Sequence, residues 1–356
     1  MHNLLFLTGE LNYTDGVSSH LYNLISELQK NKNYNITLLC TGGDSAGRFK
    51  DLKIKILEDN TFGHNNRSVK NFSVALKRLI KFIYKNKIDI LHSHNHYAAN
   101  ISYYASRFTG VITVQTNHGI IPQGGFLKHF KAHKYITVSE TIEKYLLKYK
   151  PETQKNARFI NQGFQYAGNI RKSSDGEIRI ICASRLIREK GIDVFIRAAK
   201  IVTGRYNGKL RFFIAGEGEY EGVLKSLAKS IHVSIVFLGT IKNLPELLSE
   251  TNIFVMPTRI PSEGFPMTLV EAAMTKNLII SSDFNSLKNF FKNEVDGFTF
   301  EIDNHEQLAE KMLKALNNPD QARLMTETFF KKSKILFDPS VMCNKHIEVY
   351  KECLKE

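Results

Sequence analysis

Two segments of the chain carry charged side chains at spacings suited to an anionic, hydroxylated ligand. In ASRLIREKGIDVFIRAAK, Arg185 and Lys190 fall between an apolar run and an amphipathic stretch, which places two cations in a strand-to-helix loop. Together with the positive end of the following helix they suit a diphosphate; the plain alternative is a solvated basic loop. In MPTRIPSEGFPMTLVEAAM, Glu263 precedes a helix whose first turn is expected near Phe265, and Glu271 lies about two turns inside it. Carboxylates accept paired hydrogen bonds from sugar hydroxyls, and free amides at a helix start hold phosphate or hydroxyl oxygens. The plain alternative makes Glu263 a charge favoured by the helix dipole and Glu271 a solvated surface residue.

Histidines form a third group. HSHNHY puts His92, His94 and His96 at alternate positions at the end of a strand, hence on one face, and TNHGI contributes His118. Zinc asks for about three or four ligands with supporting partners. With no cysteine or carboxylate cluster nearby, the expectation is no metal site and hydrogen-bonding roles along a cleft. Other phosphate-binding patterns are missing: no G-x-x-x-x-G-K-[ST] occurs, and the first strand leads into no G-x-G-x-x-G. GEGEYEG has the wrong spacing, and its glutamates would repel a pyrophosphate. No D-x-D triplet is present to hold a diphosphate through a metal.

The elements that must position these residues follow from composition and pattern. The chain has 356 residues, 42% of them hydrophobic, which excludes disorder and fits two domains. No apolar run approaches the roughly 18 residues needed to cross a bilayer, and MHNLLFLTGE has too short an apolar core for a signal peptide, so a cytoplasmic protein is expected. Cys40, Cys182, Cys343 and Cys353 form no C-x-x-C pair, and reduced thiols are expected. The net charge of +14 is uneven: residues 1–165 hold 22 Lys and Arg against 11 Asp and Glu, and residues 166–356 hold 27 against 24. Between the halves, glycines and serines crowd FINQGFQYAGNIRKSSDGEIRI, which places a boundary near residue 165. Strands are expected at 3–8, 36–40, 88–92, 111–116 and 135–138, then at 178–183, 210–215, 234–238, 253–256 and 278–281. Helices between them give an α/β pattern of two Rossmann-like domains, with ligands beyond the carboxyl ends of the strands and the two edges facing across a cleft.

The chain resembles the retaining nucleotide-sugar glycosyltransferases of family four, which have the two-domain GT-B fold. The strongest part is E-x7-E, present as Glu263 and Glu271 in EGFPMTLVE and following the SRLxxxKG loop; AGEGEYEGVLKSLA, VFLGTIKNLPELLSETNIFVMP and DGFTFEIDNHEQLAEKM add support in family order. The resemblance implies that residues 1–165 form the acceptor-side domain and 166–338 the donor-binding domain, with 339–356 a helix returning to the first. It makes Arg185 and Lys190 the cations on the donor diphosphate, Glu271 the partner of the ribose hydroxyls, and Glu263 a ligand of the transferred sugar. Gly264, Phe265, Pro266, Met267 and Thr268 would line sugar and phosphates, Gly16 would approach the diphosphate from the first domain, and His118 would sit beside the donor sugar. The family's glycine pair after the first strand reads Asp15 and Gly16 here, its later glycine and proline read Lys276 and Leu278, and a Gly-Gly with its glutamate reads Asn285, Ser286 and Asn289.

The implied activity is metal-independent transfer of a hexosyl group from a nucleoside diphosphate sugar, UDP favoured over GDP, to a hydroxyl of a glycan or glycolipid acceptor. No cofactor is expected beyond that donor substrate. A nucleotide-sugar epimerase of the same fold is the alternative within enzymes, separable by product analysis with and without acceptor. A basic nucleic-acid-binding protein would suit the charge but lacks a recognition motif, so no nucleic acid partner is expected. In NRSVKNFSVALKRLIKFIYKNK, Phe72, Leu76, Leu79 and Ile83 recur at helical spacing, while Arg67, Lys70, Lys77, Arg78, Lys81, Lys85 and Lys87 fill the remaining faces. Such a helix either lies on an anionic membrane, on the inner face, or buries its stripe in its own sheet and leaves the basic face in water.

Overall fold

The first apolar runs form β1 (His2–Leu7) and β2 (Tyr34–Cys40), parallel with Leu4 opposite Ile36 and Phe6 opposite Leu38. The structure, a computed structural model, describes the chain apart from residues 14, 64–65, 120–130, 165, 167, 173–175, 261–263 and 356. It has two units, residues 1–163 with 339–356, and residues 164–338. The first adds β3 (Lys55–Glu58), β4 (Ile90–Ser93), β5 (Ile112–Asn117), β6 (Lys134–Thr137) and β7 (Ala157–Phe159), in the parallel order β3-β2-β1-β4-β5-β6-β7. The second holds β8 (Ile178–Ala183), β9 (Leu210–Ala215), β10 (Val236–Phe237), β11 (Ile253–Met256), β12 (Leu278–Ser282) and β13 (Gly297–Phe300), in the parallel order β10-β9-β8-β11-β12-β13. Each is a Rossmann-like sheet, with a helix after most strands as parallel connections require.

Among the described residues before 164, the first unit has the α-helices α1 (Gly16–Leu28), α2 (Ala46–Lys50), α3 (Val69–Asn86), α4 (His96–Thr109) and α5 (Glu140–Tyr149). Leu21, Leu24, Ile25 and Leu28 of α1 are buried with Leu4, Phe6 and Ile36. The Ser68 hydroxyl caps α3 by accepting from the Asn71 amide at 3.0 Å. On α3, Ala75, Leu79 and Ile83 are buried, and Phe72 and Leu76 partly so, against Leu5, Leu7 and α4. The apolar stripe is therefore turned to the sheet, and it does not lie on a membrane. Lys70, Lys77, Arg78, Lys81, Lys85 and Lys87 are exposed. No described helix is long and apolar enough to cross a membrane.

The second unit contains α6 (Ile192–Arg205), α7 (Glu221–Ser230), α8 (Leu244–Ser249), α9 (Met267–Met274), α10 (His305–Asn317) and α11 (Pro319–Leu336). On α6, Val194, Phe195, Ala198, Ala199 and Val202 repeat at three and four residues and are buried with Ile180 and Phe212. The last helix, α12 (Pro339–Leu354), packs in the first unit, where Met342, Val349 and Tyr350 join the core around α1. The chain carries Pro339 tightly past Gly163, whose amide donates to the Met342 sulfur at 3.0 Å.

Candidate functional site

The second sheet reverses direction of travel between β8 and β11, and in open parallel sheets a crevice forms beyond the carboxyl ends of the strands at that point. The loop after β8 carries Arg185, exposed, and Lys190, half-buried. The loop after β11 leads through Gly264, Phe265 and Pro266 into α9, whose first residues are Met267 and Thr268. The helix starts two residues beyond the expected Phe265, because a residue before proline is held out of helical backbone and Pro266 itself is extended at φ −81 and ψ 98. Topology thus brings Arg185, Lys190 and residues 264–268 to one sheet edge.

Glu271 is the only charged residue of α9, whose other side chains are apolar apart from Thr268, and it is 7% exposed. It is not a solvated surface group. A carboxylate placed there must be partnered, and it suits directional acceptance of hydroxyl hydrogens. Glu263 lies outside the described residues. Lys276, which stands where the family has glycine, adopts the left-handed backbone at φ 55 that glycine favours. Its ammonium bonds Glu327 at 2.6 Å and lies 4.8 Å from the Phe330 ring centre, so the backbone path after α9 is kept with contacts that offset the strain.

The GEGEYEG segment binds no phosphate by motif, yet it shapes the crevice. Gly216 has φ 126, and a Cβ there would collide with the Ser184 carbonyl, so glycine lets the loop after β9 lie against the loop after β8. The Leu186 amide then donates to the Glu217 carbonyl at 2.8 Å, and the Tyr220 amide to the Leu186 carbonyl at 2.9 Å. Arg259, in the loop after β11, ties that loop to the segment after β8. Its guanidinium donates to both carboxylate oxygens of Asp193 at 2.7 Å and to the Arg188 carbonyl at 2.7 Å, and it also bonds Asp303. Hydrogen bonds to Asp193, outweighing burial, push the Arg259 pKa up. Sequence reasoning missed this residue, since nothing local marks a partner 66 positions away.

The first sheet reverses between β1 and β4, and a cavity of about 410 Å³ lies at that edge. Glu10, Asp15, Asn60, Asn66, Arg67 and Asn95 line it, with His94 and His96. Gly16 is the first residue of α1, and Asp15 caps that helix by accepting from the Val17 amide at 3.2 Å. The expected single face of His92, His94 and His96 is not formed. The strand ends at Ser93, and the Asn95 side chain accepts from the Ala98 amide at 2.8 Å, starting α4 at His96. His92 is core rather than cleft: its ring nitrogens bond the Tyr350 hydroxyl at 2.7 Å and the Thr116 hydroxyl at 2.8 Å.

His94 instead meets histidines from other elements. Its Nδ1 lies 3.0 Å from Nε2 of His118, which follows β5, and the His20 ring of α1 is 4.8 Å from that of His118. Burial lowers the pKa of His20, His92, His94, His118 and His346, that of His118 to about 3 and that of His346 to about 4, and neighbouring imidazoles lower the first four further. Neutral imidazoles at pH 7 make His118 a hydrogen-bonding group there, and Gly16 and His118 both sit at the carboxyl edge of the first sheet.

Comparison with known proteins agrees with both sheets. Residues 168–332 match the family described as glycosyl transferases group 1, and residues 14–164 match glycosyltransferase family 4. A relative in Escherichia coli, named UDP-Gal:alpha-D-GlcNAc-diphosphoundecaprenol alpha-1,3-galactosyltransferase, is 24% identical over 323 residues, covering 82% of each chain. A glycosyltransferase structure from Rickettsia africae superposes with a TM-score of 0.84 at 18% identity, over 100% of this chain and 99% of the other. The Anabaena protein HepE, in complex with UDP and glucose, gives 0.84 at 14% identity over 99% and 100%. The chain belongs to the GT-B glycosyltransferases of family four.

Proposed function

We propose that this protein transfers a hexose, with retention at the anomeric carbon, from a UDP-sugar to a hydroxyl of a glycolipid or polysaccharide acceptor. The observation that carries the donor half is the edge of the second sheet, where Arg185 and Lys190 follow β8 and a buried carboxylate, Glu271, sits in the helix after β11. UDP is favoured over GDP because the Anabaena structure is described with UDP and the E. coli relative's name specifies a UDP-sugar. That name also gives a lipid-linked diphosphate sugar as acceptor, which supports a glycolipid and a protein working at the inner membrane face.

In the reaction the bond from the anomeric carbon to the diphosphate oxygen breaks, and a bond to the acceptor oxygen forms on the same face of the sugar. The leaving phosphate takes the acceptor proton. Arg185, Lys190 and the amides opening α9 offset the charge that grows on the leaving oxygen, as preorganised donors do most effectively in a closed, dry site. Glu271 holds the ribose, Glu263 the transferred sugar, and His118 donates to or accepts from that sugar as a neutral imidazole. No divalent ion is required in this scheme. The polar cavity at the first sheet edge, with two carboxylates and three asparagines, suits the hydroxyls of the acceptor.

A thermal-shift series with UDP, GDP, ADP and their sugars tests the donor. A ligand at 100 times its dissociation constant stabilises by about 2.7 kcal/mol. Stabilisation by UDP and UDP-sugars is expected, and none by any nucleotide would overturn the reading. Anomeric coupling constants of the product report retention or inversion directly.

A further inference from the structure

We propose that His20, His94 and His118 form a binding site for one transition-metal ion of the Zn²⁺ type. The three come from α1, the end of β4 and the end of β5, and each offers a nitrogen such that all three atoms lie within 4.8 Å of one another. Nitrogens around zinc at about 2.0–2.1 Å stand roughly 3.3–3.6 Å apart, so modest side-chain rotations close the trio on an ion. Nε2 of His94 is buried without a hydrogen-bond partner, and of the two buried nitrogens of His20 at most one is met, by the Gln162 side chain. Buried polar atoms are nearly always paired, and unmet nitrogens on both His20 and His94 within one cluster point to a group that pairs with them.

The donor set decides the metal. Imidazole alone suits zinc, copper or nickel, and not the oxygen-seeking magnesium or calcium. His92 is excluded as a ligand because both of its nitrogens are already bonded, to Tyr350 and Thr116, and these bonds hold a rigid wall beside His94. An ion here would break the His94 to His118 hydrogen bond and take a nitrogen of His118. On the catalytic reading proposed above, zinc would then inhibit transfer and take no part in turnover.

The test is binding, so it does not depend on the activity. Protein stripped with EDTA is titrated with ZnCl₂ against a chromogenic chelator, and with CoCl₂ while the visible d–d bands are followed. One ion per chain is expected, held at least tenfold more weakly by His20→Gln and His94→Gln, with the cobalt bands lost. His232→Gln and His305→Gln, on the other unit, should bind as the parent does. Far-UV circular dichroism establishes that each variant is folded, and His20→Ala serves if His20→Gln is not. A parent that binds no zinc, or folded trio variants that bind zinc as tightly as the parent, would overturn the site.

Discussion

Replacing Arg259 by alanine separates loop positioning from ligand contact in the second unit. The guanidinium is 22% exposed and the Asp193 side chain 19%, and their paired bonds are 2.7 Å long. Hydrogen bonds to charged groups contribute about 1.5–3 kcal/mol, and removing one partner of a fully buried pair costs about 3–5 kcal/mol. With water reaching both groups, the loss expected for Arg259→Ala is about 2 kcal/mol, or about 4 to 8 °C in the melting of a unit of this size. Arg259→Lys should recover little, because an ammonium cannot donate the planar pair.

The same pair fixes a pH dependence. Burial, the largest single influence, would raise the Asp193 carboxyl, but the hydrogen bonds and charge of Arg259, with the Asp193 amide and the Arg197 charge, together outweigh it and hold the group below its ordinary value. A carboxylate whose folded pKa is depressed adds stability that is complete above its unfolded value near pH 4 and lost as pH falls through the folded value. The gap between parent and Arg259→Ala should thus be constant from pH 7 to pH 5 and shrink below about pH 4. The chain has no tryptophan, so urea melts would follow far-UV circular dichroism. A double-mutant cycle with Asp193→Asn measures the pair, and a coupling under about 0.5 kcal/mol would refute the reasoning.

Arg185→Ala or Lys190→Ala should lower turnover at least about tenfold, roughly 1.4 kcal/mol of transition-state stabilisation, with the fold intact; unchanged kinetics in both would remove the diphosphate assignment. Calorimetry should find Glu271→Ala weakening UDP itself and Glu263→Ala weakening only the sugar-dependent part, and equal losses for bare UDP would mean the roles are wrongly assigned. Transfer activity should survive EDTA, and full loss restored by manganese or magnesium would count against the metal-free scheme. Binding to vesicles should rise with anionic lipid and fall with salt, since each exposed lysine of α3 near such a surface adds about 1 kcal/mol; equal, negligible binding to neutral and anionic vesicles would leave a soluble acceptor.

Strands that are mostly buried were legible as short, largely apolar runs: β8 reads IRIICA, β9 LRFFIA and β11 IFVM, and all three have the expected bounds. The edge strands β3, β7 and β13 were not anticipated, because KILE, ARF and GFTF are only three or four residues long and their pairing comes from a neighbour rather than from their own pattern. The loop cations and E-x7-E were likewise visible, because the residues of each motif lie close together in sequence, the first after β8 and the second after β11. Tertiary structure alone decided that Glu271 is buried, that the α3 stripe turns inward, that Arg259 ties Asp193 across 66 residues, and that His20, His94 and His118 converge from three elements. The physical reason is range. Periodicity and motif spacing record which face of an element is apolar and which groups one loop can present, whereas burial and partnership depend on which strands the sheet order makes adjacent.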